Sequence, residues 1–358
     1  MRMTDGATET LFRGERDVIR VTALARSAEE LLKRCPEGIV HSEYARTVNL
    51  YCGGERLVSV TAGSDELHPF SVRSAAGTFP HPLKGAPYRY RGDELVIGGL
   101  TFSLAGAKIR DLEAHAFPHW RDTDPAGRGV SGVPDVSRRG ELLRGLFAAS
   151  EELVKRSELA FLCFPGTPSR LEHWGERIRT FSEALAAGDI GKAASLGETL
   201  FGMGWGLTPT FDDFCVGLLA ALYGDGCGAE QDCSPLYAAG SGRTNLVSLN
   251  FLYHACCGRF TESLLTACGA LFEALSGDPE ETSAGIPDAE PDKEKKDADP
   301  DKEKTDGEPG GEKGSGKAAR FRAAAERLSG FGHSSGSDML AGLLFGAETL
   351  YLKEADHG

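Results

Sequence analysis

A chain of 358 residues is long enough for two domains, and its formal net charge of -14 sets up long-range repulsion from nucleic acid and from anionic membrane surfaces, which argues against either as a main partner. No apolar run approaches the roughly 20 residues that a membrane-spanning helix needs, and no apolar signal segment opens the chain, so a soluble protein is expected. Its nine cysteines stand at none of the paired spacings of a zinc ribbon, and a reducing cytoplasm fits them best.

In chain order, a first helix is predicted from Ala23 to Lys33. Residues 38–113 then read as short strands separated by turns, among them Thr47–Tyr51, Leu57–Val60, Glu94–Ile97 and Leu100–Leu104, with Gly53-Gly54, Arg91-Gly92 and Gly98-Gly99 as punctuation. From Arg139 the pattern changes to helical spacing: Leu142, Leu143, Leu146, Phe147 and Leu153 form one apolar stripe. Further helices are predicted over residues 171–187, 190–200, 211–223, 246–257, 261–275, 318–329 and 338–352. Residues 278–317 interrupt the series with Asp, Glu and Lys, including the near copies Pro291–Lys295 and Pro300–Lys304. That composition cannot bury enough apolar surface to offset an ordering entropy of roughly 1–2 kcal/mol per residue. The fold class expected is therefore α+β: a β-rich N-terminal domain (residues 1–130), followed by a mainly α-helical C-terminal domain (131–277 and 318–358) with an acidic, lysine-rich disordered insertion at 278–317.

The densest signal lies just before the helix predicted at 211–223. Gly202, Gly204 and Gly206 alternate there, followed by Thr208-Pro209-Thr210 and the adjacent carboxylates Asp212-Asp213. Glycines at this spacing let the backbone adopt positive φ and turn successive N–H groups towards one point, while the helix N-terminus behind them favours negative charge. A phosphate, a carboxylate or a carbamoyl oxygen fits such a place. Thr208 or Thr210 offers a hydroxyl, and Thr210 or Asp212 can cap the helix. One carboxylate suffices for a cap, so Asp213 is assigned to chemistry: it could orient an amide, accept a proton or hold a hydrated Mg²⁺. The segment is no nucleotide-hydrolase phosphate loop, because no Gly-Lys-Ser/Thr follows, and no dinucleotide fingerprint, because a helix precedes it.

A shorter version recurs near the C-terminus as Gly332-His333-Ser334-Ser335-Gly336-Ser337-Asp338, and in both places an aspartate is followed one helical turn later by Gly-Leu-Leu. If the two helices pack side by side, with Gly217 and Gly342 allowing close approach, their N-termini converge. His333 is then a candidate acid, base or hydrogen-bond donor, and Ser334, Ser335 and Asp338 are candidate binding groups. Arg243, in Ser241–Ser248, could clamp a carboxylate or phosphate through both guanidinium nitrogens. In the β-rich half, His41–Asn49 attracts notice for its polar residues. Cys227 and Cys233 read as ordinary loop thiols, and the adjacent Cys256 and Cys257 as buried ones.

Together, Gly204-Trp205-Gly206-Leu207-Thr208-Pro209 with Asp212-Asp213-Phe214, the stretch from Arg243-Thr244 to Gly258, Gly332–Gly336 with Asp338, and His41-Ser42 to Asn49-Leu50 resemble the AllH-like family. That family includes one subunit of a three-part oxamate carbamoyltransferase used in anaerobic allantoin breakdown. The resemblance implies transfer of a carbamoyl group, with oxalurate and phosphate giving oxamate and carbamoyl phosphate, in a complex with companion subunits, one of them resembling CoA ligases. On this reading Asp213 and His333 are the candidate catalytic groups. For substrate binding it implies Gly204, Gly206, Thr208, Asp212, Arg243, Ser334, Ser335 and Asp338, and beyond a possible Mg²⁺ no cofactor follows. The chain departs from the family pattern at Trp205, where the pattern has proline, at Thr210-Phe211, where it has Ser-Gly, and at Ser337, where it has an aromatic residue; a different substrate is one reading of these changes. Two rival readings stand beside this one: a non-catalytic anion-binding or regulatory scaffold, and glycine loops that serve the fold alone.

Overall fold

The computed structural model describes residues 18–63, 66–80, 82–114, 136–226, 228, 231–275 and 316–357. The chain divides into two compact units, Met1–Leu112 and Glu113–Gly358. In the first, nine strands are described: β1 (Val18–Ala25), β2 (Glu37–Tyr44), β3 (Thr47–Tyr51), β4 (Leu57–Ala62), β5 (Ser71–Ser74), β6 (Pro87–Tyr90), β7 (Glu94–Ile97), β8 (Leu100–Ser103) and β9 (Lys108–Arg110), with one helix, α1 (Arg26–Arg34), after β1. Their order is β5-β4-β3-β2-β6-β7-β8-β1-β9, and an antiparallel pairing of β1 with β5 closes the sheet into a barrel. Closure leaves few free edges and lets β4 be buried along its whole length. The polar residues of His41–Asn49 are structural within this unit. Asn49 is buried, donates to Ser42 Oγ at 2.9 Å and accepts from Ser59 Oγ at 2.6 Å.

The helix predicted from Ala23 begins at Arg26 instead, because Val18–Ala25 forms the barrel strand that meets β5, β8 and β9. Ile19-Arg20-Val21-Thr22-Ala23 alternates as a strand should, but the buried end Ala23-Leu24-Ala25 runs straight into the helix and reads as its beginning.

The second unit is helical among its described residues: α2 (Val136–Val154), α3 (Gly175–Ala186), α4 (Ile190–Gly197), α5 (Thr210–Asp225), α6 (Ser234–Gly240), α7 (Leu246–Cys256), α8 (Glu262–Leu275), α9 (Lys317–Ser329) and α10 (Ser335–His357). Helix α5 is apolar on nearly every side and lies at the centre, as such a helix must. Gly226 ends it in the left-handed conformation at φ 91°. Asn245 starts α7 by accepting from the amides of Val247 and Ser248. The short helix α6 was not predicted, since Ser234–Gly240 spans too few residues for a periodic stripe.

Helix α10 runs beside α5 in the same direction. A Cβ on Gly217 would lie 1.9 Å from Met339 O and 2.9 Å from Leu343 N, and a Cβ on Gly342 would lie 2.0 Å from Phe214 O and 3.0 Å from Leu218 N. The contact is reciprocal, as in a two-fold relation between the helices, and it brings both N-termini to the same end. Of the cysteines, Cys233 is buried and Cys256 half-buried, but Cys257 is exposed, against the expectation of a buried pair; it follows the last residue of α7. Cys227, residues 278–315 of the expected insertion and the domain boundary expected near residue 130 lie outside the described residues.

Candidate functional site

The three alternating glycines adopt the backbone their spacing predicts, with φ of 85° at Gly202, 103° at Gly204 and 123° at Gly206. At Gly204 space is also decisive, because a Cβ there would sit 2.5 Å from Thr210 Cβ. Among the described residues, the amides of Gly204, Trp205, Gly206, Leu207 and Thr208 have no acceptor in the protein. The loop is pinned at its far side by Asn245, whose Nδ2 donates to Leu207 O at 2.7 Å. Trp205 and Leu207 point outward, 70% and 56% exposed.

The adjacent aspartates have separate work. Asp212 accepts from the Gly202 amide at 2.8 Å and from the Thr244 hydroxyl, so its two oxygens latch the glycine loop and the segment before α7 to the first turn of α5. It does not cap the helix in the expected way, nor does Thr210. Pro209 occupies the capping position, with no side-chain cap bond, and proline is well suited to a helix start. Burial pushes the Asp212 carboxyl up to about 6, against the pull of its donors Gly202, Thr244 and Ser248.

Asp213, only 1% exposed, faces the other helix. Thr208 Oγ1 donates to Asp213 Oδ2 at 2.6 Å and lies 2.8 Å from Ser335 Oγ, at the start of α10. Burial pushes Asp213 up to about 7; the Thr208 and Ser335 hydroxyls pull it down, and the charge of Asp212 pushes it further up. One turn into α10, Asp338 is wholly buried. Its Oδ1 accepts from Ser157 Oγ at 2.6 Å, while Oδ2 has no partner among the described residues. Burial is again the main cause that raises this carboxyl well above the usual range, with the Asp213 charge adding to it.

The structure thus brings together Gly204, Gly206, Thr208, Asp212, Asp213, Ser335 and Asp338. Ser334 lies at the turn into α10, where its carbonyl accepts from the Asp338 amide. His333 is exposed on the same turn. Arg243 does not join the carboxylates through any contact: its guanidinium meets Glu198 Oε2 at 2.9 Å and Ala239 O at 3.3 Å, while its backbone carbonyl closes over Gly202. Of the departures from the family pattern, Phe211 is buried in a ring cluster with Phe181 and Phe201 at centroid distances of 5.2 and 5.5 Å, so it packs beneath the loop. Ser337 Oγ is buried without a partner among the described residues.

Sequence reading missed Ser157, which has no local pattern around it. It passed over Thr244 and Asn245 in favour of Arg243, although Asn before an apolar run is itself a capping signal. Among the described residues, no group of three or more His, Cys, Asp or Glu side chains converges as a metal ion would require, and no helix is long and apolar enough to cross a membrane. An open groove of about 450 Å³ beside His173, Trp174 and Arg177 contains none of these site residues.

A search of curated proteins found no match, and a search of solved structures found none either. Two family models do match. One, described as the AllH family N-terminal domain, covers residues 18–109, which is the barrel; the other, described as oxamate carbamoyltransferase subunit AllH, covers residues 200–286, from the glycine loop through α8. With the closed barrel falling within one family model and the glycine loop and α5 within the other, the chain belongs to the AllH family.

Proposed function

We propose that this chain is the part of a carbamoyltransferase complex that holds the carbamoyl group, in the reaction of oxalurate with phosphate to give oxamate and carbamoyl phosphate. The observation that carries this reading is one juxtaposition: the unpartnered amides of Gly204–Thr208 adjoin the buried network of Thr208, Asp213 and Ser335. A carbamoyl group has an oxygen that gains charge in the transition state and a nitrogen that donates hydrogen bonds. Amide donors suit the first, and a carboxylate acceptor suits the second.

The proton balance gives Asp213 its role. A phosphate oxygen forms a bond to the carbamoyl carbon, the bond from that carbon to the oxamate nitrogen breaks, and the proton of the phosphate hydroxyl ends on that nitrogen. Asp213, raised by burial to about 7, relays that proton, since a group near the working pH is best matched to accept and return one. Thr208 and Ser335 keep its carboxyl oriented, and His333 on its exposed turn is the second candidate for proton transfer. Arg243, engaged by Glu198, acts by fixing the loop. The cation for the oxamate carboxylate then comes from a companion subunit, one of which is CoA-ligase-like, and a cytoplasmic location goes with this reading.

The test is phosphate-dependent formation of carbamoyl phosphate from oxalurate, with and without Mg²⁺, by the tagged chain purified gently with its accompanying subunits. Turnover is expected, and Asp213→Ala in the same assembled complex should lower it by roughly 10²–10⁴-fold. An intact complex that shows a phosphate-induced rise in melting temperature but no turnover would sink the catalytic reading and leave an anion-binding scaffold.

A further inference from the structure

The reciprocal packing of α5 and α10 puts Asp213 and Asp338 at equivalent places, each just ahead of the glycine turn that touches the other helix. Both are shut off from water. Among the described residues neither meets a lysine, an arginine or a histidine, and no three-ligand metal set includes them. What opposes their charge is the pair of helix N-termini, each worth about half an elementary positive charge, so the two together offset about one negative charge. Asp212 draws on the same field, although it has donors of its own at Gly202 and Thr244. Two further buried carboxylate charges are therefore more than this end of the helix pair can carry.

The hydrogen bonds say which carboxyl stays neutral. Asp213 Oδ2 accepts from Thr208, which is linked in turn to Ser335. Asp338 has one oxygen on Ser157 and the other, Oδ2, buried with no hydrogen-bond partner among the described residues, the natural position of a carboxyl O–H, although the nearby Ser334 hydroxyl favours the charged form. Around Asp338, α5 presents Asp213, and the segment after α2 presents Glu158, which pushes in the same direction. Cys163, which donates to Ala341 O, and Arg179, which lies over the Phe345 ring, belong further along α10.

We propose that Asp338 is the proton-holding partner of Asp213: the two carboxyl groups carry one proton between them near neutral pH, it resides on Asp338 Oδ2, and the neutral Asp338 leaves Asp213 able to ionise and exchange protons with substrate. Asp338 is a positioning residue in this scheme, acting through Asp213. The proposal rests on the reading of Asp213 as the proton relay, but its test does not need turnover.

Infrared spectra of the full chain at pH 7–8 should contain the carbonyl stretch of a buried protonated carboxyl. That band should be lost in Asp338→Asn and kept in Asp213→Asn. A wild-type spectrum without the band, or a band that persists unchanged in Asp338→Asn, overturns the proposal and leaves the carbamoyl reading untouched. If Asp338→Asn does not fold, Ser157→Ala decides: removing the donor to Oδ1 should shift the band, and an unshifted band overturns the assignment.

Discussion

Helices α5 and α10 carry matching patterns and touch through matching glycines, yet the segments that lead into them differ. Ahead of α5 lies a loop with three glycines at positive φ and five amides without an acceptor among the described residues. Ahead of α10 lies a short turn, Phe331–Ser334, in which the Gly336 amide already bonds Phe331 O and a Cβ on Gly336 would lie 1.8 Å from Leu328 O. The symmetric part of the pair is packing, and the unsymmetric part is where the proposed binding role rests. A shared helix pattern therefore locates the candidate site, and the loop that breaks the pattern is the side to which the proposal assigns the ligand.

The packing half of that comparison is broken most directly at its glycines. Gly217→Ala and Gly342→Ala each drive a methyl group into a backbone carbonyl of the facing helix, where no side chain can rotate away. Each should cost about 3 kcal/mol or more, since overpacking a filled core costs roughly 1–3 kcal/mol even where side chains can adjust. Urea unfolding of the two variants should give matching losses. If one variant is as stable as wild type, the reciprocal packing is wrong.

Much of this was readable from the chain. The two Asp-to-Gly-Leu-Leu segments predicted paired helices with glycine contacts, and strands such as Thr47–Tyr51 and Glu94–Ile97 carried enough β-branched and aromatic residues to be bounded correctly. Val18–Ala25 was missed as a strand although Ile19–Ala23 alternates, because its apolar end Ala23-Leu24-Ala25 is continuous with the helix that follows and was read as part of it. Within the site, the carboxylates and glycines are local signals. The Ser157 bond to Asp338 and the Thr244 bond to Asp212 are made by residues far apart in sequence, where no spacing rule reaches. Arg243 looked like a ligand clamp by type and position, and only the fold shows Glu198 beside it.

The buried carboxylates sharpen the comparison through pH. A carboxyl raised to about 7 in the folded chain and ordinary in the unfolded chain binds its proton more tightly when folded. Asp213 therefore contributes stability that is present at low pH and lost as pH rises from about 4 to about 7, at up to about 1.4 kcal/mol per pH unit. Asp212 acts in the same sense and levels off near pH 6. The loss of charge repulsion in acid runs in parallel for a chain this acidic, so the informative quantity is a difference. Melting temperature should fall less steeply between pH 5 and pH 7 in Asp213→Asn than in wild type, and equal slopes would show that Asp213 titrates in its ordinary range.

The smallest effect concerns the loop's own side chains. Among the described residues, Trp205 and Leu207 are the most exposed large apolar residues of the helical unit, and they cap a loop whose amides face no acceptor. If the backbone holds the anion, the indole is dispensable for that contact. Trp205→Ala should then change folding stability by less than about 0.5 kcal/mol, as substitutions at exposed positions do, and should leave the phosphate-induced rise in melting temperature intact. Thr208→Val, which removes a hydroxyl from the Asp213 network, should reduce that rise at similar size and shape. The reverse pattern, with the shift lost in Trp205→Ala and kept in Thr208→Val, would move the binding surface from the loop's amides to its side chains. The unsymmetric half of the helix pair would then be a docking surface, with the glycines serving only to present an indole.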